Sequence, residues 1–319
     1  MRTYRQLTSG ERYALEALNR QGHSQAEIAR TLGRHRSTIS RELRRNCRPG
    51  RSYTALEAGQ QTRGRRSRSR RNQRFTPADW ALVISCLEEF WSPEQIAGRL
   101  RETGQLSISH ESIYRFVWLD KKRGGILYKC LRQSGKKRRK RYGRYDSRGR
   151  LAGKRHISER PPGAHNRSRL GHWEADTMVG PGKHCVLTLV ERKIGLVLIA
   201  KLRARTVAEL NRAAIHLIHN ATLPIRTITA DNGTEFHGYT NIEAATGVRF
   251  FFATPHHSWE RGTSENTNGL IRQYLPKRHT MAAISQAHCD WIAQQLNNRP
   301  RKRLRYRTPK ECYEHSQSS

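Results

Sequence analysis

The stretch between Gly171 and Asn297 constrains the fold most. HWEADTMVG, HCVLTLVER and GLVLIAKL read as three strands joined by the short turns Pro181-Gly182 and Ile194-Gly195, which predicts an antiparallel meander. Thr206-Val207-Ala208-Glu209 is a capping box that opens a helix running to about Asn220. A strand (IRTITAD), a short helix near Asn241–Thr246 and a strand (VRFFFA) follow. Two helices close the stretch, the second from about Ala282 to Asn297 with Trp291, Ile292 and Leu296 on its apolar side. Three strands, helix, strand, helix, strand, helix predicts a mixed α/β sheet with helices packed over it.

Three carboxylates sit where such a sheet presents residues. Asp176 lies in the first strand, and Asp231 ends the fourth, just before the Asn232-Gly233 turn. In open sheets ligands collect at the carboxyl ends of strands. Glu265 stands near the start of the helix in SWERGTSENTNGLIRQYLPK. There Thr267, Leu270, Ile271 and Tyr274 form an apolar stripe, and Glu265, Asn268, Gly269 and Arg272 fall on the opposite side. The first and fourth strands are neighbours in this kind of sheet, so the three acids are expected to converge. Clustered carboxylates repel unless a cation lies among them. Hard oxygen donors suit Mg²⁺ or Mn²⁺, and two such ions about 4 Å apart serve in-line attack on a phosphodiester. Each acid also has a plainer use: Glu265 as a helix N-terminal charge, Asp231 as a turn former, Asp176 as a buried strand acid. Glu174 shares a strand face with Asp176 and competes for its role. Glu235, Glu260 and Asp290 are read as structural or supporting.

Charge names the substrate class. The 319-residue chain carries 61 Lys+Arg against 26 Asp+Glu, a formal net charge of +35. Such an imbalance repels itself unless a polyanion is near, which points to nucleic acid. No apolar run approaches the roughly eighteen residues of a spanning helix, and the N-terminus lacks the apolar core of a signal peptide. A cytoplasmic, nucleoid-associated protein with no membrane partner is expected. Six scattered cysteines without a C-x-x-C pair read as reduced structural thiols.

The upstream half is helical and basic. Residues 1–60 predict a helix-turn-helix DNA-binding domain: a helix opened by Thr8 or Ser9, a second opened by the capping box SQAE, and a third in STISRELRRN. Thr38, Ser40, Arg41, Arg44 and Arg45 on the third helix would face base edges or phosphates. Residues 61–74 read as a disordered basic linker. Residues 75–120 repeat the pattern with a longer turn. Capping boxes start at Thr76 and Ser92 and Ser109 opens a third helix, and their reader face of His110, Ser112 and Arg115 is less basic, suited to DNA or protein. Residues 121–169, with KKRRKR at Lys136–Arg141 and a possible hairpin near Tyr142–Ile157, form a second basic linker. The catalytic core spans 170–300, and 301–319 is a basic C-terminal tail with little core of its own.

GHWEADTMVG, TADNGTEF and FFATPHHSWERGTSENTNGLIRQYLPK together resemble the insertion-sequence-thirty family of bacterial DDE transposases. YRQLTSGER…STISRELRRN, WSPEQIAGRL…ISHESIYRFVW and LNNRPRK…TP extend the resemblance over nearly the whole chain, and the Asp231–Glu265 interval matches the family's spacing. An asparagine is more usual where Ser264 stands, and a tyrosine where His256 stands. The resemblance implies a ribonuclease H-like (retroviral-integrase-like) core with Asp176, Asp231 and Glu265 as ligands of Mg²⁺, for which Mn²⁺ substitutes. It implies substrate phosphate against Arg272, with Lys277 a further DNA contact. The expected activity is metal-dependent cleavage and strand transfer on double-stranded DNA, at terminal inverted repeats and a target, by a homodimer or higher oligomer. A DNA-binding repressor with a silent core is the alternative, and a nuclease without strand transfer a third reading.

Overall fold

A computed structural model describes residues 6–47, 50–69, 75–132, 153–255 and 257–317. The chain divides into two compact units, residues 1–77 and 78–319.

The first unit packs four helices, α1 (Ser9–Arg20), α2 (Gln25–Thr31), α3 (Arg36–Asn46) and α4 (Ala55–Ser69), around Leu7, Leu15, Ile28, Ile39, Tyr53 and Ala58. Thr8 with Glu11, and Ser24 with Glu27, form the reciprocal caps that start α1 and α2. Arg34 donates to Glu11 at 2.7 Å and Arg12 to Glu42 at 2.7 Å, tying α1 to the turn before α3 and to α3 itself.

The reading of 61–74 as a disordered linker is corrected, because α4 runs on through Ser69. Its start is held by Glu16, which accepts from the Ala55 N–H at 2.8 Å. Farther along, Arg65 donates to the Arg45 carbonyl at 3.1 Å and to Asn46 Oδ1. Gln and Arg are good helix formers, so long-range side-chain bonds hold a helix that no apolar stripe announces. Residues 70–74 lie outside the described residues.

The second unit begins with α5 (Pro77–Glu88), α6 (Pro93–Glu102) and α7 (His110–Lys122). Ser92 and Gln95 cap α6 reciprocally, with Pro93 at its first position. KKRRKR and most of the expected hairpin lie outside the described residues. From Lys154 the chain returns through a 3₁₀ turn (Ile157–Glu159) and the single-turn helix α8 (Pro162–His165).

The sheet follows: β1 (His172–Val179), β2 (Cys185–Glu191), β3 (Val197–Leu202), β4 (Thr227–Ala230) and β5 (Arg249–Phe252), in the order β3-β2-β1-β4-β5. Only β2 runs antiparallel to its neighbours, and β4 and β5 lie parallel to β1. This is the ribonuclease H-like arrangement. Helices α9 (Val207–His219) and α10 (Tyr239–Thr246) contribute Leu210 and Ile242 to the core on one face of the sheet. On the other face, α11 (Gly262–Ile271) and α12 (Gln286–Asn297) bury Leu270, Ile271, Ile292 and Leu296.

The C-terminal segment is more than the basic extension expected. It forms a 3₁₀ turn (Lys302–Leu304) and α13 (Pro309–Gln317), and Cys312 and Tyr313 pack on the sheet core. Arg99 of α6 pairs with Glu311, Gln95 donates to the Pro300 carbonyl at 2.7 Å, and Arg299 donates to Gln95 at 2.9 Å. Gly98 makes room for the Tyr306 ring, since a Cβ there would lie 2.2 Å from it. The segment clasps α6 to the catalytic fold through polar contacts that carry no hydrophobic period.

Candidate active site

Asp176 and Asp231 come from strands that pair side by side. Parallel pairing of β1 with β4 sets His172 against Thr227 and Glu174 against Thr229, so both chains present their next residues at one end of the sheet. Asp231 is then turned by the chain itself, as the Gly233 N–H donates to its Oδ1 at 2.9 Å. Asn232 anchors that turn by donating to the Ala253 carbonyl at 2.8 Å.

One cation already bridges the pair. Arg261 Nη2 lies 3.3 Å from Asp231 Oδ2, Arg261 Nη1 lies 3.6 Å from Asp176 Oδ1, and Nη1 also donates to the Ala175 carbonyl at 2.8 Å. Burial pushes the Asp176 carboxyl above its usual range; the Arg261 charge opposes that rise, and Asp231 adds to it. Two carboxylates in that situation hold positive charge between them.

Of the three expected acids, the two aspartates lie together around Arg261. Glu265 lies in the first turn of α11 and is exposed, and among the described residues no group of three His, Cys, Asp or Glu side chains is close enough to hold a metal ion. The residue of α11 that reaches Asp176 is Asn268, three positions on, whose Nδ2 donates to Asp176 Oδ2 at 2.6 Å. The buried Thr188 hydroxyl, on β2 directly opposite Asp176, lies 3.2 Å from Asn268 Oδ1. The side of α11 bearing Asn268 therefore faces the aspartates, and Thr267, Leu270 and Ile271 are buried behind it, as the stripe predicted.

Glu174 has a separate job. Fully buried, it pairs with Arg192 and accepts from the Ser264 N–H at 2.8 Å. It thus satisfies a free N–H at the start of α11 and holds the helix beside β1. Glu235 is likewise buried, accepting from Arg205 at 2.7 Å and Thr177 at 2.5 Å. Glu260 accepts from the Thr254 N–H at 2.8 Å. Sequence reasoning missed Arg261 and Arg132. Arg132 lies on α11 next to Glu265, donating to Asn266 at 3.2 Å, with its guanidinium in the space a Gly269 Cβ would take. In GTSENTNG, Asn266 and Gly269 stand three positions apart on the helix, which was the available signal for Arg132.

The expected DNA contacts divide. Ser40, Arg41, Arg44 and Arg45 are exposed on α3 and Thr38 is half-buried; Arg115 on α7 and Lys277 after α11 are exposed. Arg272 is half-buried and spends its donors on the chain, giving to the Val179 carbonyl at 2.8 Å and the Leu275 carbonyl at 3.4 Å, and burial lowers its pKa. His256 lies outside the described residues.

Helical units thus precede a mixed α/β core that carries a pair of aspartates, Asp176 on β1 and Asp231 just after β4. The description "Helix-turn-helix domain" matches residues 3–46 and "Homeodomain-like domain" residues 38–117. The chain is 40% identical to the transposase for insertion sequence element IS4351 of Bacteroides fragilis, over 96% of this chain and 95% of that one. It is 38% identical to the transposase for IS1086 of Cupriavidus metallidurans (96% and 93%) and 37% identical to the transposase InsI for IS30A of Escherichia coli K12 (97% and 83%). Among solved structures, the catalytic core domain of BIV integrase matches 46% of this chain and 96% of its own at 21% identity, with a TM-score of 0.37. The chain belongs to the IS30 family of insertion-sequence transposases. No described helix is long and apolar enough to cross a membrane.

Proposed function

We propose that this transposase binds the terminal inverted repeats of its element and performs metal-dependent DNA cleavage and strand transfer at a site built from Asp176, Asp231 and Glu265. The observation that carries the reading is the aspartate pair, drawn from distant parts of the sequence and bridged by the Arg261 guanidinium. A site that places a cation between two carboxylates has the charge and hard oxygen donors that Mg²⁺ or Mn²⁺ requires. Asp176 and Asp231 would hold the metal, one ion or two, with Glu265 joining from the adjacent helix. Bound there, a divalent ion supplies charge neutralisation at the phosphoryl oxygens and activation of water or a 3′-hydroxyl.

The chain's own residues do the positioning. Asn268 orients Asp176, the Gly233 N–H orients Asp231, and Glu174 fixes the start of the helix that carries Glu265. In cleavage, a water oxygen bonds to the scissile phosphorus and releases a proton to solvent, the bond from phosphorus to the 3′-oxygen breaks, and that oxygen takes up a proton and leaves as a 3′-hydroxyl. In transfer, this hydroxyl bonds to a target phosphorus and displaces the target's own 3′-oxygen, its proton passing to solvent. Arg41, Arg44 and Arg45 on α3, with Thr38 and Ser40, are the element-end contacts. Arg115, Arg272 and Lys277 are further DNA contacts, Arg272 through whatever donor its carbonyl partners leave available. Joining two ends requires at least two copies, working in the cytoplasm on nucleoid DNA. Residues 1–60 and 75–120 would be the DNA-binding divisions and 170–300 the catalytic one.

The testing experiment is a joining assay on duplexes carrying the element's ends with Mg²⁺ or Mn²⁺. Joined products from wild type and none from Asp231→Asn support the reading. Full joining by Asp231→Asn overturns it.

A further inference from the structure

Trp259 is the most exposed large apolar side chain among the described residues, with 69% of its surface open. It sits in the 3₁₀ turn Ser258–Arg261 that leads into α11. The His257 ring stacks on the indole with centroids 4.3 Å apart and planes 24° apart. Glu260 anchors the turn by accepting from the Thr254 N–H at 2.8 Å and hydroxyl at 3.0 Å, with His257 Nδ1 3.5 Å away. The indole is therefore presented from a tethered turn and backed by a second ring. Two residues further along the same turn, Arg261 reaches both aspartates. At about 2 Å of rise per residue, the backbone of Trp259 stands only about 4 Å along the axis from that of Arg261.

An exposed indole in the same turn as the arginine that reaches both aspartates, on a chain of net charge +35, has a natural occupant. Every DNA base offers a π-face, and stacking on an aromatic side chain is comparable in strength to the cost of taking one base out of a duplex. Enzymes that do chemistry on a base meet that cost when they extrude it from the duplex.

We propose that Trp259 is a base-stacking residue, its indole taking the face of a DNA base unpaired next to the phosphate that is cut. This rests on the proposed active site and extends it by a positioning residue that acts on the base rather than on the phosphate. The turn links the two events: the base is caught by residue 259 while residue 261 lies at the aspartates.

The test uses the full chain and a duplex of the element's own end with 2-aminopurine opposite the nucleotide at the cut, so that emission rises when its partner leaves the helix. With Ca²⁺ replacing Mg²⁺, wild type is expected to raise the emission, Trp259→Ala to abolish the rise, and Trp259→Phe to keep part of it. In Mg²⁺, Trp259→Ala is expected to cut the paired duplex about 10- to 100-fold more slowly. It should recover most of that loss on a duplex mispaired at the same nucleotide, where opening costs least. An unchanged emission rise with wild-type cutting by Trp259→Ala overturns the proposal, as does a cutting defect that the mispair leaves untouched. Asp231→Asn, run in parallel, keeps the emission rise but cuts neither duplex; if it cuts both at the wild-type rate, the active-site reading falls first.

Discussion

The two units of this protein handle charge in opposite ways. In residues 1–77 the arginines of α3 stand in solvent, and the few buried polar groups, such as Arg12 against Glu42, brace helix against helix. In residues 78–319 a set of ionic groups turns inward. Glu174, Glu191, Glu235, Arg192 and Arg299 are all buried, and an arginine lies between two aspartates at the sheet's end. A surface that reads phosphates needs only exposed cations on a stable scaffold, because its ligand brings the counter-charge. A site that reacts with phosphates must hold like charges together in advance, and every surrounding ion pair serves that placement. The first unit should therefore govern where the protein binds and the second what happens there.

The largest effect expected from this contrast is in catalysis. Asp176→Asn should lower DNA joining by about a thousand-fold or more, about 4 kcal/mol of transition-state stabilisation, while binding to the element's end stays within about two-fold. A matching loss of binding would break the contrast. Next in size is the buried ion pair behind α11. Glu174→Ala leaves Arg192 buried without its partner and frees the Ser264 N–H, so thermal unfolding should show about 3–5 kcal/mol of destabilisation in the catalytic unit. Arg41→Ala and Arg44→Ala should each weaken binding to the element's end by about 5- to 100-fold and flatten its salt dependence, with the rate at saturating protein preserved. Titrations at several salt concentrations measure both.

The smallest effect separates the units by pH. The Arg34 guanidinium, helped by the Thr8 N–H, holds the Glu11 carboxyl down at about 2, from an ordinary 4.5. Because the folded value is depressed, the pair's contribution is fully present above about pH 4.5 and is lost as pH falls towards 2. On a side chain this close to solvent it amounts to no more than about 1 kcal/mol. Hydrogen exchange at Leu15, Ile28 and Ile39 should accelerate across that window in wild type and less so in Glu11→Gln.

Local signals carried much of this molecule. Capping boxes at Ser24 and Ser92, and Thr8 as a helix opener, marked helix starts that the structure keeps, because a cap is made by residues three positions apart. Alternation and turn residues likewise outlined all five strands, and the Asn232-Gly233 turn exposed Asp231. What stayed hidden depended on partners far away in the chain. Helix α4 persists through a basic run because Arg65 finds Arg45 and Asn46. The C-terminal segment folds because Glu311 and Pro300 find α6. Arg261 looked like one more cation in a chain of 61 Lys and Arg, and only the fold sets it between two carboxylates. The sequence spacing that singled out Glu265 fixes its position along the chain and not its separation in space from Asp176 and Asp231.

That separation makes Glu265 the most direct test of a three-acid site. Joining of the element's ends to a target should be followed for Glu265→Gln in Mg²⁺ and in Mn²⁺, with binding measured on the same preparation. The expected result is intact binding with no joined product in either metal. Joining at the wild-type rate would contradict the account.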